Sequence, residues 1–200
     1  MPGALPMPEL SAVPAPPRPE LLRLLRARLG ESRPELRFVA EGLLGAELPI
    51  DWVAVEPSGR TLLVLVGADG ADLELVARGL AQAAWVGARL GDWRQLAPDL
   101  GVRPGAGVRV VLLCPEFRPE TLAAARALGE RAPQLVRYRC LRVGPRTEAW
   151  LEPAPGAPDP APAAASSPVP EAAPFRSGLS EAELSLSAEE RAEFAADGQH

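Results

Sequence analysis

Arginines and carboxylates are the side chains here that are best equipped for chemistry, and one predicted strand carries a series of arginines. Arg137, Arg139 and Arg142 lie within LVRYRCLRV, where Arg137 and Arg139 alternate with apolar residues and so share one face. A row of guanidinium groups on an open face suits contacts with phosphate groups. All 21 basic residues are Arg, however, a bias typical of GC-rich coding sequences. An exposed strand face with this bias explains the series equally well.

Metal and nucleophile chemistry has few candidate residues. His200, the last residue, is the one histidine, so sites built on histidine are excluded. Asp69 and Asp72 lie in GADGAD, which lacks the DxDxDG pattern of calcium loops and most simply begins a helix. Cys114 and Cys140 lie on predicted core strands without CxxC spacing. We expect reduced thiols that pack as small apolar groups, and a disulfide is less well supported.

Charge and hydropathy limit the classes of function. Residues 19–150 are nearly neutral and residues 151–200 are acidic, so the composition gives no sign of nucleic-acid binding. The Pro-rich N-terminus lacks the basic and apolar regions of a secretory signal. No apolar run reaches the roughly 18 residues that span a bilayer. We therefore expect a cytoplasmic protein without a membrane partner.

The elements that position these residues are arranged around a β-hairpin. β-Branched residues predict strands over 50–55 and 61–66, with Pro57 and Gly59 in the turn. Two later apolar runs predict strands over 108–114 and 135–143, and the first is continuous enough for the middle of a sheet. Apolar spacings of three and four residues predict helices over 19–29, 34–44, 71–90 and 118–131, with a connector over 92–107.

Composition predicts that both ends of the chain lie outside this α/β domain, which we place at 19–150. Residues 1–18 are Pro-rich and are predicted to be disordered. Residues 151–178 form a Pro/Ala-rich linker. Residues 179–200 carry capping-box patterns and predict a short acidic amphipathic helix, which we expect to meet a protein partner or the domain itself.

The hairpin IDWVAVEPSGRTLLVLVG and the helix segment LAQAAWVGARL resemble the PD-(D/E)XK nuclease superfamily. The resemblance spans about residues 19 to 145 and implies a three-layer restriction-endonuclease-like sheet flanked by helices. Members typically carry a glutamate on the preceding helix, an Ile-Asp pair opening one strand, a second strand ending in Glu-x-Lys, and a glutamine on the following helix. The resemblance thus implies Glu41, Asp51 and Gln82 as vestiges of a catalytic set, with Asp51 as the candidate metal ligand.

The family's acid and lysine are missing from this chain. Leu65 falls at the position of the metal-binding acid and Gly67 at that of the lysine. Such enzymes need carboxylates to hold Mg²⁺, which activates water, and a positive charge beside the attacked phosphorus. We therefore expect a catalytically degenerate nuclease-like domain with a structural, binding or regulatory role, without a cofactor and without enzyme activity.

Three alternatives stay open. The first is a metal-dependent DNA endonuclease in which Asp69 or Asp72 is a relocated Mg²⁺ ligand and Arg60 or Arg78 replaces the lysine. The second is a non-cleaving DNA-binding module, and its candidate phosphate contacts are Arg78, Arg137 and Arg139. The third is an unrelated three-layer α/β domain.

The three vestigial residues also have structural interpretations. Glu41 would be a solvated helix residue, and Gln82 a polar residue at a helix–sheet border. Asp51 would cap a strand or accept a hydrogen bond from a neighbouring backbone amide. The oligomeric state does not follow from the sequence.

Overall fold

The computed structural model describes residues 10–45 and 49–157, all within the first of two compact units, Met1–Ser166. The described helices are α1 Arg18–Ser32, α2 Asp72–Gly87, α3 Leu90–Leu96 and α4 Pro119–Ala127. The strands are β1 Leu10–Val13, β2 Arg37–Leu44, β3 Pro49–Val55, β4 Thr61–Val66, β5 Val108–Cys114, β6 Gln134–Val143 and β7 Arg146–Pro153. Short 3-10 turns lie at Pro98–Leu100, Pro104–Ala106 and Gly129–Arg131.

The seven strands form one mixed sheet in the order β1-β6-β5-β4-β3-β2, with β7 on the other side of β6. The strands β2, β3 and β4 are antiparallel neighbours, whereas β4, β5 and β6 run parallel. Both β1 and β7 pair antiparallel with β6. This is an α/β sheet flanked by helices, consistent with the restriction-endonuclease-like fold that the sequence predicts.

Two apolar clusters cover the two faces of the sheet because strand side chains alternate. On one face, the α1 residues Leu21, Leu25 and Leu29 pack with alternate residues of β3 and β4 such as Trp52 and Leu62. On the other face, α2 and α4 pack against the intervening residues of the same strands. The β4 sequence TLLVLV is buried throughout, as expected of a central strand covered on both sides.

The predicted helix over 34–44 is wrong, because this segment is the edge strand β2. The apolar residues of this segment have the three- and four-residue spacing of a helix, and this spacing is the reason that the sequence predicts one. The pairing of β2 with β3 shifts register between Phe38 and Ala40, where a bulge breaks the period of two. As a result Val39, Ala40 and Leu43 all pack on the α2 side, which imitates helical spacing.

The predicted helix over 71–90 ends as α2 at Gly87, and a separate helix, α3, begins at Leu90 and continues to Leu96 within the expected connector. The longest described helix, α2, has 16 residues. None of the described helices has both the length and the apolarity of a bilayer-spanning segment.

The structure also corrects the expected ends of the domain. The Pro-rich segment predicted to be disordered contributes β1, which pairs with Cys140–Val143 of β6 through four register positions. The segment expected to be linker begins within β7, a strand that pairs with β6 along Val136–Val143. Short strands such as β1 have too few residues for a sequence period to stand out. The predicted helix over 179–200 lies outside the described residues.

Candidate functional site

The Asp51 carboxylate lies at the end of the hairpin, where the ladder between β3 and β4 stops at the Trp52–Val64 pair. Its side chain is 6% exposed. Oδ2 accepts a hydrogen bond of 2.7 Å from the Val66 backbone N–H. Oδ1 accepts one of 2.6 Å from Arg18 Nη2, at the start of α1. The structural interpretation of Asp51, a carboxylate that accepts from a neighbouring amide, is therefore what the geometry shows.

Arg18 bridges two oxygen acceptors at this place. While Nη2 reaches Asp51, Nη1 donates to the Val66 carbonyl oxygen at 3.1 Å. Carboxylate and carbonyl oxygens are also the donor atoms that Mg²⁺ and Ca²⁺ prefer. The guanidinium thus takes the position between the two oxygens and neutralises the buried carboxylate.

Glu41 lies on strand β2, not on a helix as predicted, and its side chain is 65% exposed. It pairs with Arg26 of α1, whose Nε donates to the carboxylate at 3.2 Å. The Arg26 guanidinium also stacks on the Phe38 ring. Glu41 and Asp51 line the same cleft, of about 650 Å³, between α1 and the β2–β3 edge. The structure thus brings these two predicted residues together, each beside an arginine.

Gln82 is not part of this cleft. It is buried on α2, which packs on the opposite face of the sheet from α1. Its side-chain amide lies directly against Gly45, where an added Cβ would collide with it. Gln82 therefore matches the predicted polar residue at a helix–sheet border.

Leu65 and Gly67, which stand where the family has its acid and its lysine, are both part of the protein core. Leu65 is fully buried on the α2 side of the sheet. The Gly67 N–H donates to the Leu113 carbonyl at 2.8 Å, and its carbonyl accepts from the Tyr138 hydroxyl at 3.1 Å. Burial raises the pKa of Tyr138 to about 12, so this hydroxyl stays a donor at neutral pH.

Asp72, a candidate relocated Mg²⁺ ligand, accepts hydrogen bonds from the start of α4. Its carboxylate accepts from the Arg118 backbone N–H at 2.8 Å, from Arg118 Nε at 2.8 Å and from the Thr121 hydroxyl at 2.5 Å. Burial acts to raise the pKa of Asp72, but the hydrogen bonds from Thr121 and Arg118 outweigh it and leave the pKa lowered. Asp72 thus caps the start of α4 instead of turning toward Asp51.

These residues do not fit a Mg²⁺ site. Within residues 10–45 and 49–157, no group of three or more His, Cys, Asp or Glu side chains is placed to hold a metal. Both oxygens of Asp51 are already engaged, and Glu41 is paired with Arg26. A divalent ion would have to displace Arg18 and would then meet a single buried carboxylate.

Two of the arginines predicted to contact phosphate, Arg137 and Arg139, differ in exposure and in pairing. Arg137 is held by Glu152 at 2.5 Å and Glu116 at 3.2 Å, and only 15% of its side chain is exposed. Arg139 is 53% exposed and lies 3.6 Å from Glu152. These carboxylates on β7 and after β5 occupy the guanidinium groups that the sequence suggested for DNA.

The two candidate replacements for the lysine, Arg60 and Arg78, are not at the Asp51 cleft. Arg60 donates through Nε to the Ala106 carbonyl at 3.0 Å, at the other end of β4. Arg78 lies on α2, across the sheet, and in the described part of the chain its buried Nε has no hydrogen-bond partner.

Sequence reasoning missed Arg18, the residue whose guanidinium group pairs with the Asp51 carboxylate. One signal was available. Arg18 is the first residue of α1, where the helix dipole disfavours a positive charge. A cation in that position is mildly unfavourable for the helix, which makes a partner outside the helix worth seeking.

No protein-family model and no curated protein sequence matches this chain. Among solved structures, a repair endonuclease from Pyrococcus abyssi is similar over 52% of this chain and 42% of that chain, with 15% identity and a TM-score of 0.37. The structure of an EndoMS–dsDNA2 complex matches with 12% identity over 55% and 41% of the two chains and a TM-score of 0.29. SfsA from Pyrococcus furiosus in complex with Ca²⁺ matches with 12% identity over 66% and 59%, with a TM-score of 0.32.

The chain spans at most 59% of the length of any of these three proteins. At such identities and TM-scores the likeness carries no argument about what this chain does.

Proposed function

We propose that this chain is a catalytically degenerate nuclease-like domain of the PD-(D/E)XK type with a binding or structural role. One observation carries the proposal: Arg18 lies between the Asp51 carboxylate and the Val66 carbonyl, where it satisfies both. A nuclease of this type needs a divalent ion at its carboxylates to activate water. Here the chain's own guanidinium supplies the positive charge, and it cannot activate water as a metal does.

The Arg18 bridge also has a positive role, since it ties the start of α1 to both strands of the hairpin. Leu21, Leu25 and Leu29 extend this attachment along one face of the sheet. Asp51 then serves the fold, and its place in the structure does not require catalysis.

A direct test compares the full-length protein with Asp51→Ala in nuclease assays on supercoiled, linear and single-stranded DNA, with Mg²⁺ or Mn²⁺. We expect neither protein to cleave and the variant to be less stable, because the Val66 N–H and Arg18 lose their acceptor. Asp92→Ala, at an exposed position on α3, is the matched control for loss of an acid. Metal-dependent cleavage that disappears in Asp51→Ala and persists in Asp92→Ala would contradict the proposal.

A second candidate function, non-cleaving DNA binding, is favoured by a different observation. Helix α1 presents Arg18, Arg23 and Arg26 to the cleft that contains Asp51. Arg23 is 77% exposed and its ion pair with Glu20 is 4.0 Å long. Such a side chain is free to meet a phosphate, whereas Arg18 and Arg26 are held by carboxylates.

The salt dependence of DNA affinity distinguishes a DNA-binding function from the first proposed function. DNA binding through α1 predicts an affinity that falls steeply with salt and a shallower slope in Arg23→Ala. Arg131→Ala, an exposed arginine outside this cleft, is the matched control. Equal slopes for all three proteins, or no binding at low salt, would remove this candidate.

A further inference from the structure

A second cleft, of about 560 Å³, lies at the carboxyl ends of β4 and β5. It arises from the pairing of β6. This strand pairs with β5 as far as Arg137 and with β1 from Cys140 onward. The cleft lies where one partner strand gives way to the other, and we call it the strand-end cleft.

The walls of the strand-end cleft are mostly apolar. Val13 and Pro16 come from the N-terminal segment, Leu21 from α1, and Pro115 from the turn after β5. Tyr138 also lines it, but its hydroxyl proton is already donated to the Gly67 carbonyl. A concave, mostly apolar site of this size is typical of small-molecule binding. In α/β sheets, the carboxyl ends of parallel strands are a common place for ligands.

Three charged residues line this cleft, and their pairing leaves one net negative charge. Arg18 is neutralised by Asp51 at 2.6 Å. Arg139 is paired with Glu152 at 3.6 Å. Asp69 is exposed after β4, and within residues 10–45 and 49–157 it has no ion pair. The carboxylate left without a counter-ion is therefore that of Asp69.

We propose that the strand-end cleft binds a small apolar amine. Its apolar body lies against Val13, Leu21 and Tyr138, and its ammonium group faces the Asp69 carboxylate. The positive charge of the ligand follows from the charges of the residues that line the cleft. The Asp69 carboxylate would repel an anion and attract an ammonium group, whereas a neutral molecule would gain nothing from it. Arg18 lines both clefts, so the charge balance of this site rests on the Arg18–Asp51 pair of the proposed function, whereas its apolar walls do not.

The test uses three probes with similar aromatic bodies and different charges: 2-phenylethylammonium, 2-phenylethanol and 3-phenylpropanoate. Each is titrated into the ¹⁵N-labelled full-length protein and followed by NMR. We expect shifts at Ala12, Ala68 and Asp69, with the tightest binding for the ammonium and the weakest for the carboxylate. Binding of the carboxylate as tight as that of the ammonium, or no shifts at these residues, would overturn the proposal.

Three variants make the result specific. Asp69→Asn is expected to weaken binding of the ammonium by roughly two- to fivefold, the range of an exposed ion pair, and to leave the alcohol unchanged. Asp92→Asn is the matched control and is expected to leave all three affinities unchanged. Ala12→Trp, at an exposed position of β1, is expected to fill the cleft and abolish binding of every probe. An Asp69→Asn protein that binds the ammonium as tightly as the native chain would contradict the assignment of Asp69.

Discussion

The Asp72 carboxylate at the start of α2 accepts a 2.5 Å hydrogen bond from the Thr121 hydroxyl, in the first turn of α4. Both residues are buried, and Arg118 adds two further donors. One carboxylate therefore caps a helix whose N-cap residue, Arg118, lies 46 residues later in the chain. This contact joins the two helices that cover one face of the sheet.

Asp72→Asn is expected to destabilise the protein by roughly 2–3 kcal/mol at pH 7, because hydrogen bonds to a buried charge are lost. The lowered pKa of Asp72 makes the loss pH-dependent. Its stabilisation is complete above the unfolded pKa of about 4 and is lost as the pH falls through the lower folded pKa. Urea unfolding from pH 7 down to pH 2 measures this directly.

The stabilities of native protein and Asp72→Asn should therefore converge at the acid end of that range. Asp92→Asn serves as the control, since this exposed acid should change the stability by less than about 0.5 kcal/mol. A constant difference between native and Asp72→Asn at every pH would show that charge on Asp72 is unimportant.

Arg18→Ala is expected to lower the free energy of unfolding by about 1 kcal/mol, a value reduced by the half-exposed position of this side chain. In Arg18→Ala/Asp51→Asn the buried charge is also gone, so the two changes should cost less together than their sum. A double-mutant cycle in guanidinium chloride measures this coupling. Arg23→Ala combined with Asp51→Asn is the control and should be additive. Additivity in both pairs would contradict a bridge between Arg18 and Asp51.

Arg137 and Arg139 are expected to differ although they share a strand and a face. Arg137→Ala should lower stability by up to about 1 kcal/mol, because two carboxylates hold its guanidinium. Arg139→Ala should have a smaller effect, because half of this side chain is in solvent. Thermal unfolding at low and high salt measures both, and the Arg137 effect should shrink with salt. Equal effects of the two substitutions would show that the pairing of Arg137 adds nothing.

Both cysteines are expected to react slowly with iodoacetamide in the folded protein. Burial, with a contribution from Asp72, raises the pKa of Cys114 to about 12, so only about one thiol in ten thousand is ionised at pH 8. Burial also raises the pKa of Cys140. Cys140 lines the strand-end cleft and should react faster than Cys114.

Mass spectrometry after timed labelling of Cys114→Ser and Cys140→Ser proteins separates the two rates. The same proteins labelled in guanidinium chloride give the rates of the unfolded chain. Faster labelling of Cys114 than of Cys140 in the folded state would contradict the placement of the two thiols.

The hairpin and the central strand β5 follow from the sequence because their signals are local. β-Branched runs and a Pro-Gly turn specify 50–66, and VRVVLLC is too apolar to lie anywhere but inside. The β2 segment has the apolar spacing of a helix because of its bulge, and only its pairing with β3 resolves the ambiguity. The strands β1 and β7 exist because β6 offers them backbone partners, which no local pattern encodes.

The candidate site was predictable to the same limited degree. Asp51 follows from the resemblance, and Glu41 does lie in the same cleft although on a strand. The arginines that neutralise these two carboxylates belong to α1. Arg18 lies 33 residues before Asp51, and Arg26 lies 15 residues before Glu41. Tertiary pairing of this kind has no sequence period, so Arg18 and Arg26 were visible only as charged helix residues.

The way β6 is shared between two partners has a practical consequence for shortening the chain. A four-residue strand from the Pro-rich segment covers the backbone of Cys140–Val143. A protein that lacks residues 1–13 would keep both helix-covered faces but would leave that stretch of β6 as an open edge. Open edges recruit strands from other molecules. The strand from the low-complexity N-terminus, whose composition makes it look dispensable, thus shields this stretch of β6 from strands of other molecules.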